Sequence, residues 1–171
     1  MDYINNTKNV SNPEIMITNP YDEIIPNLHL GGIKALDNYK SEYNNETLIF
    51  YMVVDLIKYT TTNIANESME QYEQYLNLPV HDSPDECDNL LKMINGTQVL
   101  EKIHNALQNN KPVLVHCFAG MQRSCALVAC YLIKYYDFTP KIAIDFIKSK
   151  RPIAFFGKVN FMDTINKIYG Y

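Results

Sequence analysis

The feature that most constrains the fold is a helical segment, residues 124–136, that is apolar on nearly every face. A helix at a protein surface keeps one polar face, so a helix without one must be covered by other elements. A compact apolar run at residues 113–116 precedes it and is typical of a buried strand. Together they predict a layered domain with this strand and this helix at its centre.

Other apolar runs predict the remaining elements of the domain. The predicted strands are residues 28–30, 48–54 and 75–80. The predicted helices are residues 99–107, a segment capped by Thr139 and Pro140, and residues 159–169. Because strands alternate with helices and helices close the chain, we expect an α/β fold with a central, mostly parallel sheet flanked by helices.

Length and charge narrow the class of protein. A chain of 171 residues can bury one proper core, and a net charge of −4 does not favour a nucleic-acid-binding or membrane-surface protein. The N-terminus lacks the pattern of a signal peptide, and no apolar run approaches the ~20 residues of a membrane span. We therefore expect a cytoplasmic or nuclear protein that is not secreted, with reduced cysteines.

The domain organisation follows from the same pass along the chain. Residues 1–20 are rich in asparagine and show no clear period, so they are predicted to be an N-terminal extension. Residues 21–171 form the predicted domain. The extension is a candidate homodimer contact. The histidines are scattered and no CxxC motif occurs, so neither a metal site nor a cofactor is predicted.

The segment that carries chemistry is residues 116–124, with the sequence HCFAGMQRS. It joins the predicted strand to the apolar helix, whose positive N-terminal end favours the Cys117 thiolate, the form that attacks. Gly120 permits a backbone in which successive amides converge on one anion. Arg123 can hold two oxygens of a tetrahedral anion, and Ser124 can donate a hydrogen bond to the sulfur. The predicted ligand is a phosphate monoester.

This segment resembles the HCxxGxxRS signature of the cysteine-dependent protein phosphatases, and Ala119-Gly120 is similar to their small atypical dual-specificity branch. Residues 25–32, 150–153 and 160–161 also resemble that family, so the resemblance covers about residues 21–169. It implies a phosphotyrosine-phosphatase-like fold. It further implies hydrolysis of phosphotyrosine and phosphoserine or phosphothreonine in proteins through a cysteinyl-phosphate intermediate, without metal or cofactor.

The resemblance also implies a general acid, an aspartate on a loop after a core strand. Asp82 follows the strand at residues 75–80 and is the candidate, while Asp85 and Asp88 on the same loop remain alternatives. A positioned acid contributes about 10²–10⁴-fold to such a reaction. The spacing from Asp82 to Cys117 exceeds the family's usual spacing, and an insertion within residues 87–96 would explain it.

The predicted catalytic residues are therefore Cys117, Arg123, Asp82 and Ser124. The predicted substrate-binding residues are Phe118, Ala119, Gly120, Met121, Gln122 and Arg123. Phe118, Met121 and Gln122 are expected to contribute mainly backbone amides to the phosphate site. Arg151 is expected to be structural, near a helix end, or to line the rim of the pocket.

Three features depart from the family's usual pattern. Asp55 occupies a position where the family often has asparagine. Cys125 and Cys87 are either packing residues or thiols that capture an oxidised Cys117.

Alternative functions remain on the same fold. An RNA 5′-triphosphatase, a phosphoinositide phosphatase and a non-catalytic phosphoprotein-binding scaffold all use a phosphate-binding loop of this kind. The phosphatase hypothesis implies phosphorylated proteins as partners, with neither nucleic acid nor membrane.

Overall fold

The computed structural model describes residues 19–36, 49–59 and 72–170. The strands that it describes are β1 (Tyr21–Ile25), β2 (Leu28–Gly31), β3 (Met52–Ile57), β4 (Gln74–Val80) and β5 (Val113–His116). They form one five-stranded sheet in the order β1-β2-β5-β3-β4. β1 pairs antiparallel with β2, and every other pair is parallel. The predicted α/β class with a mostly parallel sheet is therefore confirmed.

The position of β5 determines where the chemistry-bearing loop lies. β5 pairs with β2 on one side and with β3 on the other, and all four of its residues are buried. In a parallel sheet the carboxyl ends of the strands meet at one edge, which is where such folds bind ligands. The segments that follow β2, β3, β4 and β5 therefore gather at a single edge.

Helices cover the sheet. The α-helices in the described ranges are α1 (Cys87–Thr97), α2 (Val99–Gln108), α3 (Arg123–Tyr136), α4 (Pro140–Lys150) and α5 (Met162–Tyr169), and short 3-10 helices span Ile33–Leu36 and Pro84–Glu86. Ten of the fourteen residues of α3 are buried, as its apolar composition predicts. α4 begins as predicted, because the Thr139 hydroxyl accepts a hydrogen bond from the Ile142 amide and Pro140 occupies the first turn.

Several boundaries differ from the prediction. β1 was not predicted, because Asp22 and Glu23 interrupt its apolar pattern. α1 was not predicted either, and it occupies the segment in which an insertion was expected. β3 begins at Met52 and α5 at Met162, each later in the chain than predicted. Strand type and order are set by long-range pairing, so local pattern places their ends poorly.

The predicted extension lies mostly outside the described residues, which begin at residue 19. The homodimer hypothesis for residues 1–20 and the domain boundary at residue 21 therefore stay predictions. No helix in the described ranges is both long enough and apolar enough to cross a lipid bilayer.

Candidate active site

The centre of the site is Cys117, the first residue after β5. Its side chain is buried, with 2% of the residue exposed, and its Sγ lies 3.2 Å from the hydroxyl oxygen of Ser124. The backbone amide of Cys117 donates to the carbonyl of Gly31, at 3.3 Å, so the end of β2 fixes the start of the loop. Ser124 lies in the first turn of α3 and is fully buried. The predicted nucleophile and the predicted hydroxyl donor are thus brought together.

Gly120 allows the loop to turn tightly against β2. Its φ is +67°, in the left-handed region that side chains with a Cβ rarely adopt. A Cβ placed there would lie 2.6 Å from the carbonyl carbon of Gly31 and 2.7 Å from the Nη2 of Arg151. Both the backbone conformation and the close contacts therefore require glycine.

Arg151 supports the loop from outside. It is 2% exposed, and its Nε and Nη2 donate to the carbonyls of Gly120 and Ala119, at 2.9 and 3.3 Å. Its Nη1 donates to the Asp22 carboxylate, at 2.7 Å, and to the Asn19 carbonyl, at 3.2 Å. Of the two roles considered from the sequence, these contacts match the structural one.

Arg123 begins α3 and extends toward the sheet edge. Its Nη1 donates to the carbonyl of Val80, at 3.0 Å, and to that of Leu56, at 3.4 Å. Its Nε is buried and has no hydrogen-bond partner among the residues that the structure describes. A buried N–H without a partner is costly, so this side of the guanidinium is suited to an anionic ligand.

The three candidate acids differ in their surroundings. Asp82 follows β4, is exposed, and accepts a hydrogen bond from the Nδ2 of Asn160, at 2.8 Å. Asp88 lies in α1 and pairs with Lys167, at 2.7 Å, a contact that lowers the pKa of its carboxyl. Asp85 is exposed, and its amide donates to the Ser83 hydroxyl. Of the three, only Asp82 accepts a hydrogen bond from a segment that also contacts residues 117–122, the predicted phosphate loop.

That segment is held by the side chain of Gln122. The Gln122 Nε2 donates to the carbonyl of Lys158, at 2.6 Å, and to that of Phe156, at 3.3 Å. Its Oε1 accepts from the amide of Asn160, at 3.1 Å. We expected mainly a backbone contribution from Gln122, so these side-chain bonds are additional. The sequence carries no signal for them beyond a polar residue before a buried helix.

A second carboxylate lies behind the loop. Asp55, on β3, is fully buried, and its Oδ1 lies 3.6 Å from the Nε2 of His116. It accepts hydrogen bonds from the hydroxyls of Tyr59 and Tyr75 and from the Ile57 amide. Burial lowers the pKa of His116, and the charge of Asp55 opposes that effect. The two tyrosine pKa values are raised, mainly by burial and also by Asp55.

All four cysteines are free and buried. Burial raises the pKa of Cys125 and of Cys130, the latter to about 12, so both are thiols near neutral pH. The Cys125 Sγ contacts the Gly120 carbonyl, at 3.5 Å, and the Cys87 Sγ contacts the Asn160 carbonyl, also at 3.5 Å. Both sulfurs are therefore packed against backbone carbonyls. The hypotheses that Cys125 or Cys87 captures an oxidised Cys117 stay predictions.

A parallel sheet edge that carries a cysteine, a tight glycine loop and an arginine at a helix start defines a phosphotyrosine-phosphatase-like domain. The family model described as "Dual specificity phosphatase, catalytic domain" matches residues 35–169. The chain belongs to this family, which confirms the resemblance seen in the sequence.

Individual relatives agree with this assignment. Cyclin-dependent kinase inhibitor 3 of Rattus norvegicus is 28% identical over 119 residues, covering 69% of this chain and 54% of the relative. Dual specificity protein phosphatase 18 of Pongo abelii is 32% identical over 112 residues, covering 64% of this chain and 56% of the relative. This chain thus spans about half the length of these curated relatives.

Solved structures show the same fold. The crystal structure of human DUSP28 matches with a TM-score of 0.69 at 23% identity, covering 90% of this chain and 95% of that chain. The crystal structure of DUSP15 matches with a TM-score of 0.64 at 21% identity, covering 87% and 84%.

Proposed function

We propose that this protein is a dual-specificity protein phosphatase that hydrolyses phosphotyrosine and phosphoserine or phosphothreonine through a cysteinyl-phosphate intermediate. The observation that carries the proposal is the pairing of Cys117 Sγ with Ser124 Oγ, at 3.2 Å, in the first turn of α3, whose first residue, Arg123, keeps an Nε without a partner among the described residues. A nucleophile and a charged donor thus belong to the loop and first turn of one helix N-terminus, where a phosphoryl group binds favourably.

In the first step the Cys117 thiolate attacks phosphorus, forming an S–P bond as the bond from phosphorus to the leaving oxygen breaks. The electron pair of that bond goes to the oxygen, and Asp82 supplies the proton that neutralises it. Arg123 and the loop amides hold the non-bridging oxygens, whose negative charge they stabilise in the transition state. The leaving product is the dephosphorylated hydroxyl side chain.

In the second step a water molecule attacks the phosphocysteine. The Asp82 carboxylate takes the proton from this water as its oxygen bonds to phosphorus. The S–P bond breaks, and its electron pair returns to Cys117 as a thiolate that the Ser124 hydroxyl stabilises by donating a hydrogen bond. Inorganic phosphate leaves, and Asp82 is protonated again.

The loop composition supports a protein substrate over the alternatives. Phosphoinositides and RNA 5′-triphosphates are polyanions, and their binding favours additional basic residues. The side chains of Phe118, Met121 and Gln122 add no positive charge to the loop, and the chain carries a net charge of −4. A phosphoprotein-binding scaffold would not need the nucleophile, and Cys117 is present.

The proposed substrates are phosphorylated proteins of the cytoplasm or nucleus, where a reducing environment keeps the Cys117 thiol available. The test is hydrolysis of p-nitrophenyl phosphate and of phosphopeptides in the presence of EDTA. We expect turnover by the wild type and none by Cys117→Ser. Asp82→Asn should lower kcat about 10²–10⁴-fold.

Asp85→Asn is the matched control, because Asp85 lies on the same exposed loop and should leave turnover unchanged. Turnover that persists in Cys117→Ser would overturn the mechanism. Binding of phosphopeptides without turnover by the wild type would favour the scaffold.

A further inference from the structure

Asp82, the candidate general acid, is exposed to solvent, yet its side chain is held in one direction. Asp82 lies on a surface loop, where an unbound side chain would sample several rotamers. Its Oδ1 accepts a hydrogen bond from the Nδ2 of Asn160, at 2.8 Å. Because Oδ1 is engaged by an N–H donor, a proton carried by this carboxyl lies on Oδ2. Asn160 thereby determines which oxygen can deliver the proton.

Asn160 is itself fixed relative to the phosphate loop. Its backbone amide donates to the Oε1 of Gln122, at 3.1 Å, and Gln122 immediately precedes Arg123. The Gln122 side chain is buried, and its Nε2 is bound by the carbonyls of Lys158 and Phe156. Two side chains therefore connect the phosphate loop to the acid.

A second set of contacts attaches the start of α1, which follows the Asp82 loop, to the segment that contains Asn160. The Cys87 Sγ, at the start of α1, donates to the Asn160 carbonyl, at 3.5 Å. The Thr164 hydroxyl donates to the Cys87 carbonyl, at 2.8 Å. Asn160 is thus bound through its amide, its carbonyl and its side chain, each to a different part of the site. Its Oδ1 is buried and has no hydrogen-bond partner among the described residues, so the side chain is held through Nδ2 alone.

We propose that Asn160 is a positioning residue for Asp82, and that Gln122 places Asn160 at a set distance from the phosphate loop. This inference rests on the proposed function, in which Asp82 is the general acid. Asn160 acts through Asp82 and does not contact the reacting atoms. In the first chemical step, which kcat/KM reports, its contribution is therefore confined to substrates whose leaving oxygen needs a proton.

The experiment compares two aryl phosphates that differ in that requirement. The leaving group of phenyl phosphate needs a proton, whereas that of 2,4-dinitrophenyl phosphate leaves readily without one. Asn160→Ala should lower kcat/KM on phenyl phosphate about 10- to 100-fold, the effect of losing one hydrogen bond to a carboxyl that becomes charged as it delivers its proton. The kcat/KM on the dinitrophenyl ester should change less than about threefold, because its leaving group needs no proton and the phosphate loop is intact.

Two further variants separate positioning from folding. Asn160→Leu approximates the shape of the side chain but removes the donor without adding a charge, and it should show the same selective loss. In an Asp82→Asn background, Asn160→Ala should cause no further loss on phenyl phosphate, because the residue through which it acts is gone. Asn166→Ala, an exposed change on α5, is the matched control and should behave as wild type.

A parallel test concerns Gln122. Gln122→Met retains the length of the side chain but loses all three hydrogen bonds, and it should reproduce the selective loss on phenyl phosphate. Equal losses on both esters in the Asn160 variants, or an additive loss in the Asp82→Asn background, would overturn the inference while leaving the proposed function in place. A wild type inert on both esters would instead overturn the proposed function.

Discussion

The chain contains only two arginines, one directly after the loop of residues 117–122 and one bonded to its carbonyls, and they differ in their hydrogen bonding. Each of the three guanidinium nitrogens of Arg151 donates to an oxygen of the protein. Arg123 donates through Nη1 to two strand-end carbonyls, and its buried Nε has no partner among the described residues. Arg151 thus has a protein acceptor at every guanidinium nitrogen, whereas Arg123 keeps a donor for a ligand.

This difference separates a structural role from a binding role within one residue type. Arg151 neutralises Asp22 and occupies the carbonyls of the loop, so its donors are consumed in holding the loop shape. Arg123 is anchored on one side, which fixes the direction of its free side and reduces the entropy lost when a phosphate binds. The comparison predicts that the two arginines fail in different ways when they are replaced.

The largest expected effect is a loss of stability when Arg151 is replaced. Arg151→Met keeps much of the aliphatic packing but removes the ion-pair partner of Asp22 and the donors to two loop carbonyls, and among the described residues Asp22 keeps only its hydrogen bond from Asn19. Breaking a buried ion pair from one side costs about 3–5 kcal/mol, and the partial exposure of Asp22 places this case at about 3 kcal/mol. Urea unfolding followed by circular dichroism measures it. Asp22→Asn is the matched variant and should cost less, and an unchanged midpoint in both would contradict the structural role.

The next effect is on turnover, at the arginine that keeps a free donor. Arg123→Lys keeps the positive charge but loses the planar fork, and kcat/KM on p-nitrophenyl phosphate should fall about 10²–10³-fold. The unfolding midpoint should move much less than in Arg151→Met. If Arg123→Lys lost mainly stability and Arg151→Met mainly turnover, the assignment of the two roles would be reversed.

A smaller effect concerns His116, whose buried imidazole loses its proton more readily in the folded protein. Burial lowers the pKa of His116 despite the nearby Asp55, so the folded protein binds this proton less readily than the unfolded chain. Stability is then fully present above the unfolded pKa of about 6.5 and declines as the pH falls below it. From pH 7.5 to 5.5 we expect His116 to account for a loss of about 1 kcal/mol in the free energy of unfolding.

Burial also lowers the pKa of His29, which therefore adds to this loss. Urea unfolding at the two pH values measures the sum, and His116→Gln isolates the share of His116. An unchanged pH dependence in that variant would show that His116 binds its proton equally well in the folded and the unfolded protein.

The sequence predicted the local parts of this site and missed the long-range ones. Cys117, Arg123 and Ser124 lie in one short segment between a strand and a helix, so composition and spacing were enough to bring them together. The bond from Arg151 to Gly120 spans 31 positions, and that from Asn160 to Asp82 spans 78. Such contacts depend on how the elements pack, which no local pattern encodes. For Arg151, the available sequence signal is that it is one of only two arginines in a lysine-rich chain.

The smallest expected effect concerns the stability that an exposed ion pair contributes. Two ion pairs share the same N···O distance but differ in burial, so they show which of the two factors decides the strength of a pair. Arg151–Asp22 and Lys167–Asp88 both have an N···O distance of 2.7 Å, but only the first pair includes a fully buried partner. Water and salt screen the exposed pair. Asp88→Asn should therefore lower stability far less than Arg151→Met, and the loss should disappear in 1 M NaCl.

The pH dependence of the Asp88 contribution has a defined sign. Lys167 lowers the pKa of Asp88 in the folded protein, so the contribution is present above the unfolded pKa of about 3.9 and is lost as the pH falls through the lower, folded value. Thermal melts of wild type and Asp88→Asn at neutral pH, in low and high salt, measure it. A loss that persisted in high salt would show that the distance between charges, and not their burial, decides the strength of these pairs.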